Sequence, residues 1–364
     1  MFCVADQSPI VAAHRPVHRR DDAAPRSSRG CSAPLMRRDE GCPQEHHAHE
    51  RGPRERIMRT VVGKRIGLVG CGRWGRNHFR TLRSLRDEGL VSFLAVCDID
   101  ESATAELDAD AVHHEMGEML AQEDLDAVAL VTPPDTHLAL LNVALFAGLP
   151  VLMEKPFSDR HDASAEALTS LPEHAVVVVG YLLRHHPGIQ RLKRLMHDGH
   201  FGAIQSLCYA RETVRSKPVQ ATPLDTLAVH GLDLVPWLLD EPLNSLQTLA
   251  CEVEETAARI EFESPNEGKR GRVEVAWGRK SEVRTVTVDG SLGSAMLDFG
   301  ANTLSIFPTL DGPATPSVET YDREPLEEEW RFFLSKVDEG RGVVFPDANA
   351  LLDQGRWMNR HQAQ

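Results

Sequence analysis

One glycine pattern in the sequence has a spacing that suits it to holding a phosphate. Gly70, Gly72 and Gly75 form Gly-x-Gly-x-x-Gly, which follows an apolar run and opens a helical pattern. At such a turn the first glycine permits a tight bend, the second lets the backbone approach a pyrophosphate, and the third lets helix and strand pack closely. Amide groups at the helix N-terminus then bind the anion. We therefore predict a dinucleotide site here that includes Arg73 and Trp74.

A carboxylate at the end of the next apolar run predicts which dinucleotide is bound. Asp98 ends that run, where a carboxylate can accept hydrogen bonds from the adenosine ribose hydroxyls. The following residues are Ile99, Asp100 and Glu101, so no arginine is placed to hold a 2′-phosphate. We therefore expect NAD rather than NADP as the cofactor. The alternative is that Asp98 is only a loop carboxylate.

Further along the chain, short polar motifs follow apolar runs in an order that resembles a known family. The motifs are Val131, Thr132, Pro133, Pro134 and His137, then Glu154, Lys155 and Pro156, then Gly180, Tyr181 and Arg184. In this order they resemble the glucose-fructose oxidoreductase, inositol dehydrogenase and rhizopine catabolism family, from about residue 65 to the C-terminal helix. Trp277, Arg284 and Gly293 resemble the sheet of members that act on nucleotide-linked sugars.

The resemblance implies an oxidoreductase with Lys155 at the cleft between two domains and a catalytic histidine, here His230, on a helix of the second domain. Moving a hydride from a secondary alcohol requires a group that takes the hydroxyl proton, and histidine titrates near neutral pH. A cationic lysine beside the hydroxyl would stabilise developing alkoxide charge. The alternatives are a surface lysine after a strand and a satisfied core histidine.

The same resemblance implies the remaining site residues. Around the cofactor it implies Thr132, Pro133, His137, Glu154 and Lys155. Around the substrate it implies Tyr181, Arg184, His186, Arg211 and Thr226, with His185 beside them. The two arginines are the better candidates for an anionic part such as a diphosphate. His186 precedes a proline, so it could instead start a helix.

One position departs from the family pattern. The family usually places an aspartate four residues before the catalytic histidine, where this chain has Thr226. Asp225 lies five residues before His230, about 140° around an α-helix, so we expect it to point away. Thr222 and Asp225 instead resemble a capping box, which favours a stabilising role for Asp225. Asp233 could orient the His230 imidazole.

Composition excludes several classes of partner. The chain has 364 residues, 41% of them hydrophobic, and a net charge of -14, which argues against nucleic acid or an anionic membrane surface. The longest apolar runs are far shorter than the roughly 20 residues that span a bilayer. Seven cysteines without paired spacing indicate a reducing cytoplasm, and we find no secretory signal. We therefore expect a small-molecule substrate and no metal.

The pattern of apolar runs predicts two α/β domains that position these residues. Between residues 61 and 180, short apolar runs alternate with helical stretches, which is typical of a Rossmann dinucleotide-binding domain. We predict strands at 65–69, 91–97, 127–131, 151–154 and 176–179, and helices at 74–86, 102–107, 136–147 and 163–170. For residues 181–364 the pattern predicts an α+β domain with a mainly antiparallel sheet and closing helices. Its elements are helices at 186–196, 225–239, 324–337 and 347–359, and strands at 203–211, 272–276, 284–288 and 294–298.

Residues 1–60 have a different composition, rich in Arg, His, Pro and Ser and without apolar periodicity. We expect this extension to be disordered. Alternatives are metal binding by Cys42, His46, His47 and His49, a transit peptide, and a translation start at Met58.

The sequence predicts an NAD-dependent dehydrogenase for a secondary hydroxyl of a sugar or sugar nucleotide. Exposed strands in the second domain make a homo-oligomer plausible. The alternatives are a non-catalytic NAD-binding sensor, suggested by the missing aspartate, a cyclitol dehydrogenase, and a different two-domain reductase.

Overall fold

The computed structural model describes residues 63–159, 161–219, 221–308 and 315–362. The N-terminal extension and its four candidate metal ligands lie outside these ranges. No helix in the described ranges is both long enough and apolar enough to cross a membrane.

Strands and helices alternate in the first part of the described chain. The strands are β1 (Lys64–Val69), β2 (Val91–Cys97), β3 (Ala111–His113), β4 (Ala127–Leu130), β5 (Val151–Met153) and β6 (Val176–Val179). The helices are α1 (Gly75–Asp87), α2 (Glu101–Thr104), α3 (Met116–Gln122), α4 (His137–Phe146) and α5 (His161–Thr169). The five predicted strands are confirmed to within one residue. β3 and α3 were missed because each is too short to show a clear apolar period.

The second part of the described chain is richer in strands. It comprises α6 (Pro187–His197), β7 (Ile204–Glu212), α7 (Val229–Leu239), β8 (Gln247–Val253), β9 (Ala257–Glu263), β10 (Arg270–Ala276), β11 (Val283–Gly290), β12 (Gly293–Asp298), β13 (Thr303–Pro308), β14 (Ser317–Thr320), α8 (Pro325–Glu339), β15 (Val343–Phe345) and α9 (Ala348–Gln362). A π-helical turn, Leu224–Ala228, precedes α7 where a regular helix was predicted.

The first sheet is parallel and has the order β15-β6-β5-β4-β1-β2-β3. Val69 at the end of β1 pairs with Cys97 of β2 and with Leu130 of β4. Because these strands run in the same direction, the residues that follow them meet at one edge of the sheet. The glycine turn, Asp98 and the Val131 motif therefore lie together where the chain reverses its strand order, which is the usual place for a bound dinucleotide.

The last strand of this sheet comes from the C-terminal end of the described chain. Val343 in β15 pairs in parallel with Val176 in β6. Trp330 and Phe333 of α8 pack in the same core cluster as the β1 side chains. The predicted division at residue 180 therefore needs one addition: the segment 325–345 belongs with the first sheet and not with the second domain.

The second sheet has eight strands in the order β14-β13-β12-β11-β7-β10-β9-β8. Its neighbours are antiparallel except for β7 and β10, so the predicted α+β domain with a mainly antiparallel sheet is confirmed. On α7, Gly231 packs so closely that an added Cβ would lie 2.6 Å from Tyr209 and 2.7 Å from Val273. This close approach fixes α7 against the sheet and sets the position of His230.

Candidate functional site

A cavity of 1270 Å³ is lined by residues that follow strands of the first sheet and by residues of the second sheet. Its lining includes these residues predicted from the sequence: Arg73, Trp74, Thr132, Glu154, Lys155, Tyr181, His186, Arg211, Thr226 and His230. The structure therefore brings together the two candidate catalytic residues and most of the candidate cofactor and substrate residues. The glycines, Asp98, Pro133, His137 and Arg184 are not part of this lining.

In the glycine turn, Gly70 and Gly75 are packed tightly against neighbouring backbone, whereas Gly72 has free space beside it. Gly70 has φ +93°, and a Cβ there would lie 2.3 Å from the Val131 carbonyl oxygen. A Cβ on Gly75 would lie 2.0 Å from the Gly70 oxygen, so the turn packs tightly against α1. By contrast, no heavy atom lies within 4 Å of a Cβ built on Gly72. The turn and the N-terminus of α1 thus fit a pyrophosphate group approaching at Gly72.

Asp98 braces this turn. Its carboxylate accepts a hydrogen bond from the Cys71 amide at 2.6 Å and another from the Asp100 amide at 3.0 Å. A carboxylate can accept about four hydrogen bonds, so capacity remains for the ribose hydroxyls. The alternative weighed from the sequence, a carboxylate used by its own loop, is therefore observed and is compatible with ribose binding.

Glu154 is held by a buried chain of hydrogen bonds. Trp74 Nε1 donates to Glu154 Oε1 at 2.5 Å, and His78 Nε2 lies 3.0 Å from the same oxygen. Trp330 Nε1 lies 3.1 Å from His78 Nδ1. Because an indole N–H can only donate, His78 Nδ1 must accept and His78 Nε2–H must donate to Glu154. The network fixes one histidine tautomer and directs it at the carboxylate that precedes Lys155.

The pKa values of two buried carboxyl groups, Glu154 and Glu329, are shifted in opposite directions. Burial alone would raise the pKa of Glu154, but hydrogen bonds from His78 and Trp74 and the Lys155 charge hold it below its usual range. Glu329 in α8 is completely buried, and its carboxyl oxygens have no hydrogen-bond partner among the described residues. Burial and the Glu154 charge raise the pKa of Glu329 well above its usual range. Glu154 is therefore ionised, and Glu329 holds a proton.

Burial and neighbouring charges shift the pKa values of both Lys155 and His230. Burial, and then the charge of Arg211, lower the pKa of Lys155, while the charges of Glu154 and Asp225 oppose that shift. Burial, and then the charges of Lys155 and Arg211, lower the pKa of His230 well below its usual range. A neutral imidazole, able to accept a proton, thus shares the cavity with a partly compensated ammonium group.

The turn before α7 changes which side chains share a face with His230. Val229 N–H bonds to the Leu224 carbonyl five residues back, which is the π-helical pattern. In such a turn residues five apart lie above one another, so Asp225 and His230 share a face, and both line the cavity. The prediction that Asp225 points away was wrong because it assumed a regular α-helix.

Asp225 also makes the predicted cap contact. Thr222 Oγ1 accepts a hydrogen bond from the Asp225 amide at 3.1 Å and donates to the Asp225 carboxylate at 2.6 Å. The carboxylate is therefore oriented by Thr222 at the start of the helical segment. Thr226 lines the cavity as well, as the sequence predicted.

Arg184 and Asp233 require correction. Arg184 Nε lies 2.9 Å from Asp233 Oδ2, and Arg184 Nη2 lies 2.8 Å from Asp233 Oδ1. Both side chains are buried. Arg184 is therefore committed to an internal ion pair and does not reach the substrate cavity, and the Asp233 carboxylate is not free to orient His230.

His137 and Pro133 also lie away from the cavity. His137 is fully buried, and its two ring nitrogens lie 2.9 Å from the carbonyl oxygens of Thr132 and Pro156. It therefore ties together two loops at the cofactor edge rather than lining the cavity. Pro133 is exposed, whereas its neighbours Thr132 and Pro134 face the cavity.

Two candidate substrate residues are also used by the fold. The Tyr181 hydroxyl donates to the Gln354 side chain, whose amide nitrogen donates to the Val229 carbonyl at 2.9 Å. His186 Nδ1 accepts from the Gly188 amide at 3.0 Å and caps α6, as its position before a proline suggested. Burial lowers the pKa of His186 to about 4. Both residues still line the cavity.

Sequence reasoning missed several cavity residues. Gln354 comes from α9, Arg215 follows β7, and Arg284 lies in β11. Only Arg284 carried a signal, since it belongs to the segment that resembles the sheet of nucleotide-sugar enzymes. The others reach the cavity through tertiary packing that no local pattern announces.

Comparison with known proteins agrees with this architecture. Residues 64–181 match the GFO_IDH_MocA model, described as an oxidoreductase family with an NAD-binding Rossmann fold. Over these residues the chain is similar to this family. The oxidoreductase family model and the dehydrogenase relatives support a nicotinamide dinucleotide site and dehydrogenase chemistry at a CH–OH group, as the sequence predicted.

Similar Gfo/Idh/MocA proteins differ in how much of their length matches. The UDP-N-acetylglucosamine 3-dehydrogenase of Acidithiobacillus ferrooxidans is 28% identical over 302 residues, which cover 78% of this chain and 91% of that enzyme. The inositol 2-dehydrogenase 4 of Saccharopolyspora erythraea is 32% identical over 191 residues, covering 50% of this chain and 56% of that enzyme. The chain thus spans about half of that inositol dehydrogenase in the match.

Solved structures of other enzymes share the fold over most of this chain. A 3-ketoreductase from Actinomadura kijaniata, solved with NADP and TDP-benzene, superposes with a TM-score of 0.68 at 17% identity. The UDP-N-acetylglucosamine 3-dehydrogenase of Acidithiobacillus ferrooxidans superposes with a TM-score of 0.68 at 24% identity. Each match covers 83% of this chain and 97% of the solved chain.

Proposed function

We propose that this protein is an NAD-dependent dehydrogenase that interconverts a secondary hydroxyl and a ketone on a sugar carried by a nucleotide. The observation that carries the proposal is the meeting of Lys155 and His230 in one cavity at the carboxyl edge of the dinucleotide-binding sheet. Because one residue comes from each domain, a substrate in this cavity would lie between the cofactor and the second sheet.

The described residues fit a nicotinamide dinucleotide. The open position at Gly72 and the N-terminus of α1 would hold its pyrophosphate, and Asp98 would accept hydrogen bonds from its ribose. When bound, the nicotinamide exchanges a hydride with the substrate carbon. We propose NAD over NADP because Asp98, Asp100 and Glu101 would repel a 2′-phosphate.

In the oxidation direction His230 serves as the general base. Its imidazole is neutral because burial and the Lys155 charge disfavour a second positive charge. It accepts the substrate hydroxyl proton as the carbon loses its hydride. Lys155 donates a hydrogen bond to the same oxygen and stabilises its developing negative charge. In the reverse direction His230 returns the proton to the ketone oxygen.

Two carboxylates oppose the loss of the Lys155 charge. Glu154 and Asp225 both raise the Lys155 pKa against the effect of burial. Glu154 is itself held ionised by His78 and Trp74, and Asp225 is oriented by Thr222. Asp225 therefore acts as a positioning and charge-balancing residue in addition to its contact at the helix start. This arrangement removes the observation that favoured a non-catalytic sensor.

The choice of substrate class rests on the extent of similarity. The match to a UDP-N-acetylglucosamine 3-dehydrogenase extends over 91% of that enzyme, including the length needed for a substrate domain. The match to an inositol 2-dehydrogenase covers 56% of that enzyme. This difference supports a sugar nucleotide over a cyclitol as the substrate.

We further propose a cytoplasmic homo-oligomer. The cysteines in the described ranges, Cys71, Cys97, Cys208 and Cys251, are free thiols, which suits a reducing compartment. The outermost strands of the second sheet, β8 and β14, have edges at which a second copy could pair. Sedimentation of the purified protein tests the assembly.

The experiment that tests the function follows reduced-nicotinamide absorbance with NAD and a panel of sugar nucleotides, free sugars and cyclitols. The account predicts reduction of NAD with at least one nucleotide-linked sugar. Tight NAD binding without turnover of any panel member would favour the sensor, and turnover of cyclitols alone would move the assignment to that class.

A further inference from the structure

Two arginines lie directly opposite each other in the second sheet. In the antiparallel register of β7 and β11, Arg211 pairs with Arg284. Both side chains line the cavity that holds Lys155 and His230. Like charges at directly opposed positions destabilise an antiparallel pair of strands. Sheet formation therefore gives no reason for this placement, whereas a bound anion would.

The two guanidinium groups are poorly neutralised by the protein. Arg211 Nε is buried and has no hydrogen-bond partner among the described residues, a costly condition for a charged donor. The nearest carboxylate of Arg284 is that of Glu282, with Nε and Oε2 3.7 Å apart. Glu282 is itself engaged, since it accepts hydrogen bonds from the Thr213 hydroxyl at 2.7 Å and the Val214 amide at 3.1 Å.

Arg284 stands where two cavities adjoin, and Arg211 lines the first of them. A second cavity of 500 Å³ shares Arg215, Arg284 and Gly300 with the first. Arg284 therefore has the catalytic residues on one side and the second cavity on the other. This concentration of positive charge occurs in a chain with a net charge of -14, so it is not a consequence of overall composition.

We propose that Arg211 and Arg284 bind the diphosphate of a nucleoside diphosphate sugar, with the sugar toward Lys155 and His230 and the nucleoside in the second cavity. The planar guanidinium fork matches phosphate oxygens and forms paired, charge-assisted hydrogen bonds. The three parts of such a substrate follow one another in the same order as the catalytic pair, the arginines and the second cavity. This inference rests on the proposed function and names the subsite that selects its substrate.

The site is tested by calorimetric titration of UDP and of inorganic phosphate into the full-length protein loaded with NAD. We expect UDP to bind more tightly than phosphate, because phosphate leaves the second cavity empty. Arg284→Gln should weaken UDP binding by about ten- to a hundredfold, the range for hydrogen bonds to a charged group, and should leave NAD binding unchanged. Arg284→Lys keeps the positive charge but lacks the planar guanidinium group. Its affinity for UDP should lie between those of the unmodified protein and Arg284→Gln.

A matched control is available on the other face of the same sheet. Arg270 in β10 is 70% exposed, and Arg270→Gln should bind UDP as the unmodified protein does. Equal UDP affinity for Arg284→Gln and Arg270→Gln would overturn the site. Equal binding of UDP and phosphate would overturn the placement of the nucleoside.

These outcomes are separable from failure of the proposed function. A protein that oxidises neutral sugars with NAD but binds no UDP would lack this subsite and keep the NAD-dependent dehydrogenase chemistry, with free sugars in place of nucleotide-linked ones. A protein whose UDP binding depends on Arg284, but which oxidises no sugar, would retain the subsite and lose the function.

Discussion

Asp225 and His230 lie five residues apart and line the same cavity because the turn between them is π-helical and not α-helical. A π-turn accommodates one extra residue relative to an α-turn, and such turns are frequent at functional sites. The carboxylate is therefore delivered one position earlier in the sequence than the family pattern places it. The Asp225 charge raises the pKa of Lys155, so the π-turn influences a residue of the proposed reaction.

Asp225→Asn should move the basic limb of the pH profile of kcat/KM to lower pH. The Asp225 charge raises the Lys155 pKa, so its removal lets Lys155 lose its proton at a lower pH. The measurement is kcat/KM from pH 6 to pH 10.

Thr222→Ala is the control for that change. It removes the cap contact but keeps the carboxylate charge, so it should cost about 0.5–2 kcal/mol of stability and move the basic limb less than Asp225→Asn does. If Asp225→Asn lowers stability but its basic limb coincides with that of the unmodified protein, Asp225 acts only as a cap.

The acid limb of the same profile reports His230. Oxidation requires the neutral imidazole, and burial together with the Lys155 charge lowers its pKa well below 6.5. The rate constant kcat/KM for oxidation should therefore stay on its plateau as the pH falls through 6.5 and decline only at lower pH. A decline centred at 6.5 or above would mean that His230 is solvated or is not the base.

Asp98→Ala separates two roles of one carboxylate. Loss of the ribose hydrogen bonds should weaken NAD by about 1.5–3 kcal/mol and narrow the preference over NADP. Loss of the bond to the Cys71 amide would instead weaken both cofactors, because it loosens the glycine turn that they share. Titration of NAD and NADP into Asp98→Ala, with Asp100→Ala as the control, distinguishes the two roles of the Asp98 carboxylate. Equal affinity of the unmodified protein for NAD and NADP would refute the NAD assignment.

The free energy of unfolding of Glu329→Gln, compared with that of the unmodified protein, should increase as the pH rises. The Glu329 pKa is raised in the folded state, so the stability gained by holding its proton is full at low pH and is lost as the pH rises through the raised pKa. The difference between the two proteins should grow by at most about 1.4 kcal/mol per pH unit above the usual glutamate range. Chemical denaturation at several pH values measures it, with Glu328→Gln as the control; a pH-independent difference would show that Glu329 is ionised in the fold.

The sequence predicted what depends on local pattern. The glycine turn and the places of five strands along the chain follow from apolar runs and from a motif of fixed spacing, and the place of Lys155 was implied by the family resemblance. The residues that sequence reasoning placed wrongly depend on tertiary partners. Arg184 was assigned to a substrate, but Asp233, 49 positions away, neutralises it inside the protein.

The π-turn shows a second reason why the sequence did not predict the whole site. Rotating residues by 100° per position placed Thr226 on the face of His230, and one irregular turn was enough to bring Asp225 there as well. His78, Trp330 and Glu329 were missed for a related reason, since α8 packs on α1 only after the chain has returned to the first sheet.

The central claim is that Lys155 and His230 perform the proton chemistry of a nicotinamide-dependent dehydrogenase. Its most direct test is turnover of His230→Ala and Lys155→Met at saturating NAD, with NAD affinity measured on the same preparations. The account predicts NAD affinities within about threefold of the unmodified protein and rates lower by roughly 10²–10⁴-fold, the loss expected for a positioned acid or base. Variants that bind NAD and retain their rate to within about tenfold would contradict it.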